Sequence, residues 1–200
     1  MTSLSEYHQR LPYGERVPVD PMLESPFFPF EGDIQVKPLA EPVLPEPPRA
    51  GEEGGHPCHS CSEPERDVIW RDDQWRLLAG LEPTGLPMMA LLVPNEHYRL
   101  DNLPPELLAT LGPMLQRTTE AVRRIDSVAR CHFNRWGDGG SHFHVWFLAR
   151  PLGQMQLRGP MIAAWSDLLP ALPDEEFRAN ARTVATALAE ISGEPRGAAA

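Results

Sequence analysis

The sequence predicts an α+β fold. An antiparallel sheet of about five strands carries one long helix, an extended Pro-rich arm precedes it, and helices follow it. Three observations predict this. Short β-prone runs alternate with turn residues between positions 67 and 149. A stretch of 3.6-residue apolar period sits between the third and fourth of those runs. Ten of the 23 prolines lie in the first 50 positions, where fixed φ angles and missing N–H groups favour extended chain over packed elements. The organisation expected is an arm over 1–55, a sheet-containing domain over 56–150 and a helical extension over 151–200.

Residues 1–55 are polar and Pro-rich except at Pro26-Phe27-Phe28-Pro29-Phe30. Those rings predict an arm pinned to the domain or to a partner subunit, a disordered tail being the alternative. Gly51-Glu52-Glu53-Gly54-Gly55 reads as a hinge. Asp67–Trp70 and Gln74–Ala79 flank Arg71-Asp72-Asp73 as a hairpin. Met88–Pro94 is a continuous apolar run suited to a central buried strand. Asp101 or Asn102 is placed to cap a helix whose first turn holds Pro104, Pro105 and Glu106. Leu107, Leu108, Leu111, Leu115, Ala121, Val122 and Ile125 would line its apolar face, and Pro113 would kink it. Val128–Trp136 and Ser141–Ala149 are strands joined by the turn Gly137-Asp138-Gly139-Gly140. Helices are expected over Met161–Leu169 and from Pro173-Asp174-Glu175-Glu176 onward, with fraying from Gly193 to the Ala-rich end.

The net charge of −10 gives a single-sign field that repels a phosphate backbone, which excludes non-specific nucleic-acid binding. A small phosphorylated ligand remains compatible, because local donors act at short range. The longest apolar run, Met88–Val93, is far shorter than the roughly 20 residues that cross a bilayer. The first residues show no charged head followed by an apolar stretch, so a cytoplasmic protein is expected. In a reducing compartment the three cysteines, Cys58, Cys61 and Cys131, point to metal binding or burial rather than a disulfide framework.

Cys58-His59-Ser60-Cys61 has the two-residue spacing that turns two thiolates toward one point, the half-site of tetrahedral zinc. A redox pair shares that spacing but follows a strand and opens a helix, which Gly-Gly-His-Pro before it and Ser-Glu-Pro-Glu after it do not match, and a loop without metal is the other alternative. No second cysteine pair exists, so histidines must complete the shell. His97, just beyond the buried run, is the first candidate, a surface histidine being its plain reading. In a strand, His142 and His144 would share one face with Trp146 and Leu148, while Phe143, Val145 and Phe147 face the core. A cross-strand polar pair is the alternative for these two histidines. His56 and His59 flank the cysteines as spare ligands or solvated loop residues, and His132 lies one strand over. Cys131 reads as core and Arg158 as a surface charge.

The order CxxC, strand ending Val93-Pro94-Asn95-Glu96-His97, helix, strand ending near Asn134, glycine-rich turn and His142-Phe143-His144 strand resembles the histidine triad (HIT) family over residues 58–150. The resemblance implies a HIT-like sheet and a structural zinc held by Cys58, Cys61, His97 and His142. It also implies a nucleotide or other small phosphorylated ligand, and a homodimer. His144 falls at the family's nucleophile, which would attack the α-phosphorus of a nucleotide and pass through a covalent nucleotidyl-histidine. Asn134, Gly140, Ser141 and the N–H groups of the 137–140 turn would hold phosphate oxygens. Trp146 replaces the third histidine; an indole cannot accept a proton, but it can stack on a base. The turn is about two residues shorter than the family's. A second register is therefore open, with His144 on the metal and Trp146 at the nucleophile position. Three functions stay in view: a nucleotide hydrolase or nucleotidyl transferase, a catalytically degenerate nucleotide-binding or scaffold protein, and an interaction protein using the arm and C-terminal helices.

Overall fold

The computed structural model describes residues 40–62, 67–79 and 82–199, with scattered positions between 14 and 38. Pro26 and Phe27 lie outside the described residues; Phe28 and Phe30 meet edge to face at 5.4 Å. Six antiparallel strands form one sheet: β1 (Val68–Arg71), β2 (Trp75–Ala79), β3 (Met89–Pro94), β4 (Val128–Asn134), β5 (Val145–Pro151) and β6 (Glu194–Pro195). Their order is β4-β5-β3-β2-β1-β6, so β3 is central as its apolar run predicts. The β1–β2 hairpin closes where Asp72 Oδ1 accepts from the N–H groups of Gln74 and Trp75.

Alternation divides the sheet into two faces. Ile69, Leu77, Ala90, Leu92, Val145 and Phe147 bury one face against α1 (Pro105–Val122) and α3 (Asp174–Ala189). Trp75 sits wholly buried in this layer, its indole N–H donating to Thr110 Oγ1 at 3.0 Å. Met89, Trp146 and Leu148 look the other way, toward α2 (Met161–Leu168). Among the described residues no helix is long and apolar enough to cross a membrane.

Four expectations change. Helix α1 is capped by Pro104, without a side-chain bond, rather than by Asp101 or Asn102. Asn102 Oδ1 instead accepts from Arg99 N–H at 2.6 Å and closes a preceding 3₁₀ turn. Pro105 at the first helical position needs no partner for its nitrogen, so a side-chain cap has less to do.

The segment from Gly193 to Ala199 is ordered rather than frayed. Beyond α3 the chain returns to the sheet as β6, and Arg196 N–H donates to Ile69 O at 2.9 Å. Gly193 makes this return at φ +71, against the Arg71 carbonyl, where any side chain would collide.

Gly51–Gly55 is a tight loop seated on the domain rather than a hinge. Gly51 N–H donates to His56 O at 2.7 Å, and Gly55 N–H to Glu52 O at 3.0 Å. Arg49 pairs with Glu52 at 2.6 Å and reaches Gly137 O at 2.8 Å. Ala50 bridges Gly140 in parallel.

Finally, β5 begins at Val145, not at Ser141. The preceding backbone is bonded elsewhere: Ser141 N–H to Ala50 O at 2.9 Å and Phe143 N–H to Tyr98 O at 2.6 Å. Pro94, at the end of β3, has no N–H with which to extend a ladder. His142 and His144 therefore precede the regular strand, yet both still line the cleft with Trp146 and Leu148, while Phe143, Val145 and Phe147 are buried on the other side as expected.

Candidate metal centre and cleft

Cys58 precedes, and Cys61 lies within, one helical turn, His59–Ser62. That turn is held down by Arg76 of β2, whose guanidinium donates to Ser60 O at 2.5 Å and to Asn95 O at 2.7 Å. His97 follows β3, and His142 lies in the irregular segment before β5. These four residues converge, with one donor atom each and all four atoms within 4.8 Å of one another. His142 Nδ1 lies 3.5 Å from both sulfurs, and His97 Nδ1 lies 3.3 Å from Cys61 Sγ. Four ligands at zinc bond lengths of about 2.0–2.3 Å around one centre stand roughly 3.3–3.8 Å apart, so the spacing fits. His144, His132, His56 and His59 are not in the group.

The far sides of both rings fit as well. His142 Nε2 faces Pro94 O at 3.1 Å, which makes it the protonated nitrogen and leaves the Nδ1 lone pair toward the sulfurs. His97 Nε2 lies 3.2 Å from Ser141 Oγ, to the same effect. Burial pushes His142 down to about 4, so its imidazole is neutral at pH 7, as a metal requires. Burial, then the neighbouring Cys58, push the Cys61 thiol up to about 11, a penalty on the second thiolate that a divalent cation removes. Two Cys and two His make a closed tetrahedral shell of the structural zinc type, with no position left for a reacting water.

Beyond His142 the environment changes. A cleft of about 810 Å³ opens on the sheet face opposite α1. Leu78, Met89, Leu91 and Leu148 form its floor, Ala163 and Asp167 of α2 one wall, and Gly139 and Gly140 part of the rim. His144 and Trp146 both line it, as does Trp136, which lies 6.4 Å from Trp146 ring to ring. His144 is bonded at both nitrogens: Nδ1 to His142 O at 2.8 Å and Nε2 to Trp136 O at 2.5 Å. A neutral ring carries one N–H and can donate to only one of these carbonyls.

The residues read as phosphate donors separate here. Gly140 lies at the rim. Ser141 is fully buried, its hydroxyl between His97 Nε2 and Ala50 O. Asn134 ends β4 opposite Trp146, with its Oδ1 buried and unbonded among the described residues. Cys131 is packed against the core, where burial raises its thiol to about 12. The sequence reading missed Glu82, a cleft carboxylate in the β2–β3 connection, and Trp136, which lies at the end of a run read as strand. No Lys or Arg lines the cleft among the described residues.

No protein-family model matches the sequence, and no curated protein does. Solved structures do match. A histidine triad protein from Bradyrhizobium japonicum superposes with a TM-score of 0.51 at 17% identity, over 60% of this chain and 89% of that one. A Zn-bound histidine triad family protein from Mycobacterium smegmatis gives 0.49 at 20% identity, covering 67% and 94%. A hypothetical histidine triad nucleotide-binding protein from Sulfolobus tokodaii gives 0.46 at 17% identity, covering 67% and 93%. The first of these matches places the chain in the histidine triad fold.

Proposed function

We propose that this protein binds a nucleotide or a similar small phosphorylated ligand in the cleft beside His144, on a scaffold braced by structural zinc. The metal would sit on Cys58, Cys61, His97 and His142 and tie the cysteine turn, the end of β3 and the approach to β5 together. One observation carries the ligand reading. A single apolar cleft presents two indoles, a histidine and a glycine rim side by side. Base stacking on Trp146 or Trp136 would supply roughly 1–3 kcal/mol without demanding one particular base. Glu82 can accept from sugar hydroxyls, as a carboxylate does in other nucleotide sites. The N–H of Gly140 at the rim would donate to a phosphate, and the His144 ring would join it on releasing one of its two carbonyls. With no Lys or Arg among the described lining residues, a singly substituted phosphate suits the cleft better than a triphosphate.

Hydrolysis through His144 is the second reading, and one contact favours it. With its proton on Nδ1, bonded to His142 O, the ring carries its lone pair on Nε2. Nε2 would bond to phosphorus as the leaving group departs with the electrons of the cleaved P–O or P–N bond. Water would then break the P–N bond to the histidine and release the nucleoside monophosphate. Two features oppose this. The Trp136 carbonyl oxygen stands 2.5 Å from the attacking nitrogen and blocks its approach to phosphorus, and Trp146 cannot deliver a proton to the leaving group. We therefore place binding ahead of turnover.

The test is titration with AMP, followed by tryptophan fluorescence, alongside a search for AMP release from adenosine phosphoramidate at high protein concentration. Saturable quenching without release supports binding, whereas release abolished by His144→Ala supports turnover. No quenching and no release would end both readings.

A further inference from the structure

The buried hydroxyl of Ser141 is absent from the ligand cleft, and its two contacts define another role. His97 Nε2 lies 3.2 Å from Ser141 Oγ, on the opposite side of the ring from Cys61. Ser141 Oγ donates to Ala50 O at 3.1 Å, which leaves its lone pairs to accept from the His97 N–H. Ala50 O also accepts from Ser141 N–H at 2.9 Å, and Ala50 N–H donates to Gly139 O at 3.2 Å. Gly51 closes the assembly from the arm side. A Cβ there would stand 2.6 Å from His97 Cε1 and 2.8 Å from Ser141 Oγ. His97 is exposed and sits in a loop, so it has little else to fix its ring.

We propose that Ser141 is a positioning residue of the metal centre. Its hydroxyl locks His97 in the tautomer that offers Nδ1 to the metal and anchors that ring to the arm carbonyl of Ala50. The chain His97–Ser141–Ala50 makes the end of the arm part of the metal centre. The same carbonyl fixes the backbone at the end of the glycine turn, so the metal centre and the cleft rim share one support. This rests on the zinc reading above, but it assigns Ser141 to the metal rather than to a phosphate. Support of a metal-bound histidine by a hydrogen-bond partner typically changes metal affinity by about 10–100-fold.

Zinc affinity is measured by competition with a chromophoric chelator on full-length wild type and Ser141→Ala at neutral pH. The expected result is a loss of about 10–100-fold in the variant, with unchanged circular dichroism in the metal-free state. The Ser141 N–H bond to Ala50 is retained in that variant, which favours folding. An affinity within about twofold of wild type overturns the proposal.

Should Ser141→Ala not fold, the wild type decides through ¹⁵N and ¹H spectra of His97 in the zinc-loaded protein. A proton on Nε2 that exchanges slowly with water is expected. A proton that exchanges freely overturns the proposal. Wild type that binds no zinc would instead defeat the zinc reading itself, which separates the two failures.

Discussion

His142 and His144 are two residues apart, yet the two ends of this short segment are built on opposite principles. At the His142 end each ring nitrogen faces a complementary group: the two sulfurs on one, a carbonyl on the other, and a matching arrangement at His97. At the His144 end, one imidazole faces two carbonyls and the Trp146 indole stands edge-on beside it. The first arrangement suits a group that never changes partners. The second leaves one contact that must yield whenever the ring acts, and it offers no proton donor beside it. The two ends share the Ala50 carbonyl as backbone support, but different side chains carry the metal cluster and the cleft.

The largest effect that would break this comparison is metal removal. Zinc held at about 1,000 times its Kd contributes about 4 kcal/mol of stability. Chelation is therefore expected to lower Tm by roughly 8–16 °C for a chain of this size. An unchanged calorimetric Tm would count against the brace.

Acid comes next. In the metal-free protein His142 titrates at about 4, against an ordinary histidine value of 6.5. Its folded value is depressed and its charged form is the protonated one, so the unfolded chain takes up the proton first. The stability is fully present above pH 6.5 and is lost as pH falls toward 4, amounting to about 3 kcal/mol at the lower end. Urea melts of metal-free wild type and His142→Ala across that window should diverge at high pH and converge at low pH.

Gly51→Ala ranks third. A side chain at φ +87 that also meets His97 should cost about 2 kcal/mol in urea denaturation. Trp146→Ala should weaken AMP roughly 5–150-fold while leaving zinc content unchanged, which sharpens the separation of the two ends.

The smallest effect is one of reactivity. Metal-loaded protein should resist thiol reagents, and chelation should expose Cys58 and Cys61. Cys131, raised to about 12 by burial, should react only on unfolding. Counting modified thiols by mass spectrometry checks the order.

Much of the sheet and helix core was legible because its signals are local. The Arg71-Asp72-Asp73 turn, the apolar run of β3 and Pro105 at a helix start each act within a few residues. The four-residue cluster was legible in two steps: the spacing of Cys58 and Cys61 gave a half-site, and only the resemblance to the histidine triad family singled out His97 and His142 to complete it. What escaped depends on backbone partners far away in sequence. His142-Phe143-His144 alternates like a strand, but Ala50 and Tyr98 take the N–H groups before β5 can begin. Gly51–Gly55 has the composition of a hinge, and only the contact with His97 and Ser141 shows why glycine stands at 51. The carbonyl of Trp136 on His144, and the return of β6 to β1, leave no trace in side-chain pattern.

The claim that the metal brace and His144 are separate is tested most directly by zinc content in wild type, His142→Ala and His144→Ala. The account predicts one zinc per chain in wild type and in His144→Ala, and little or none in His142→Ala. Zinc lost from His144→Ala and retained in His142→Ala would contradict it.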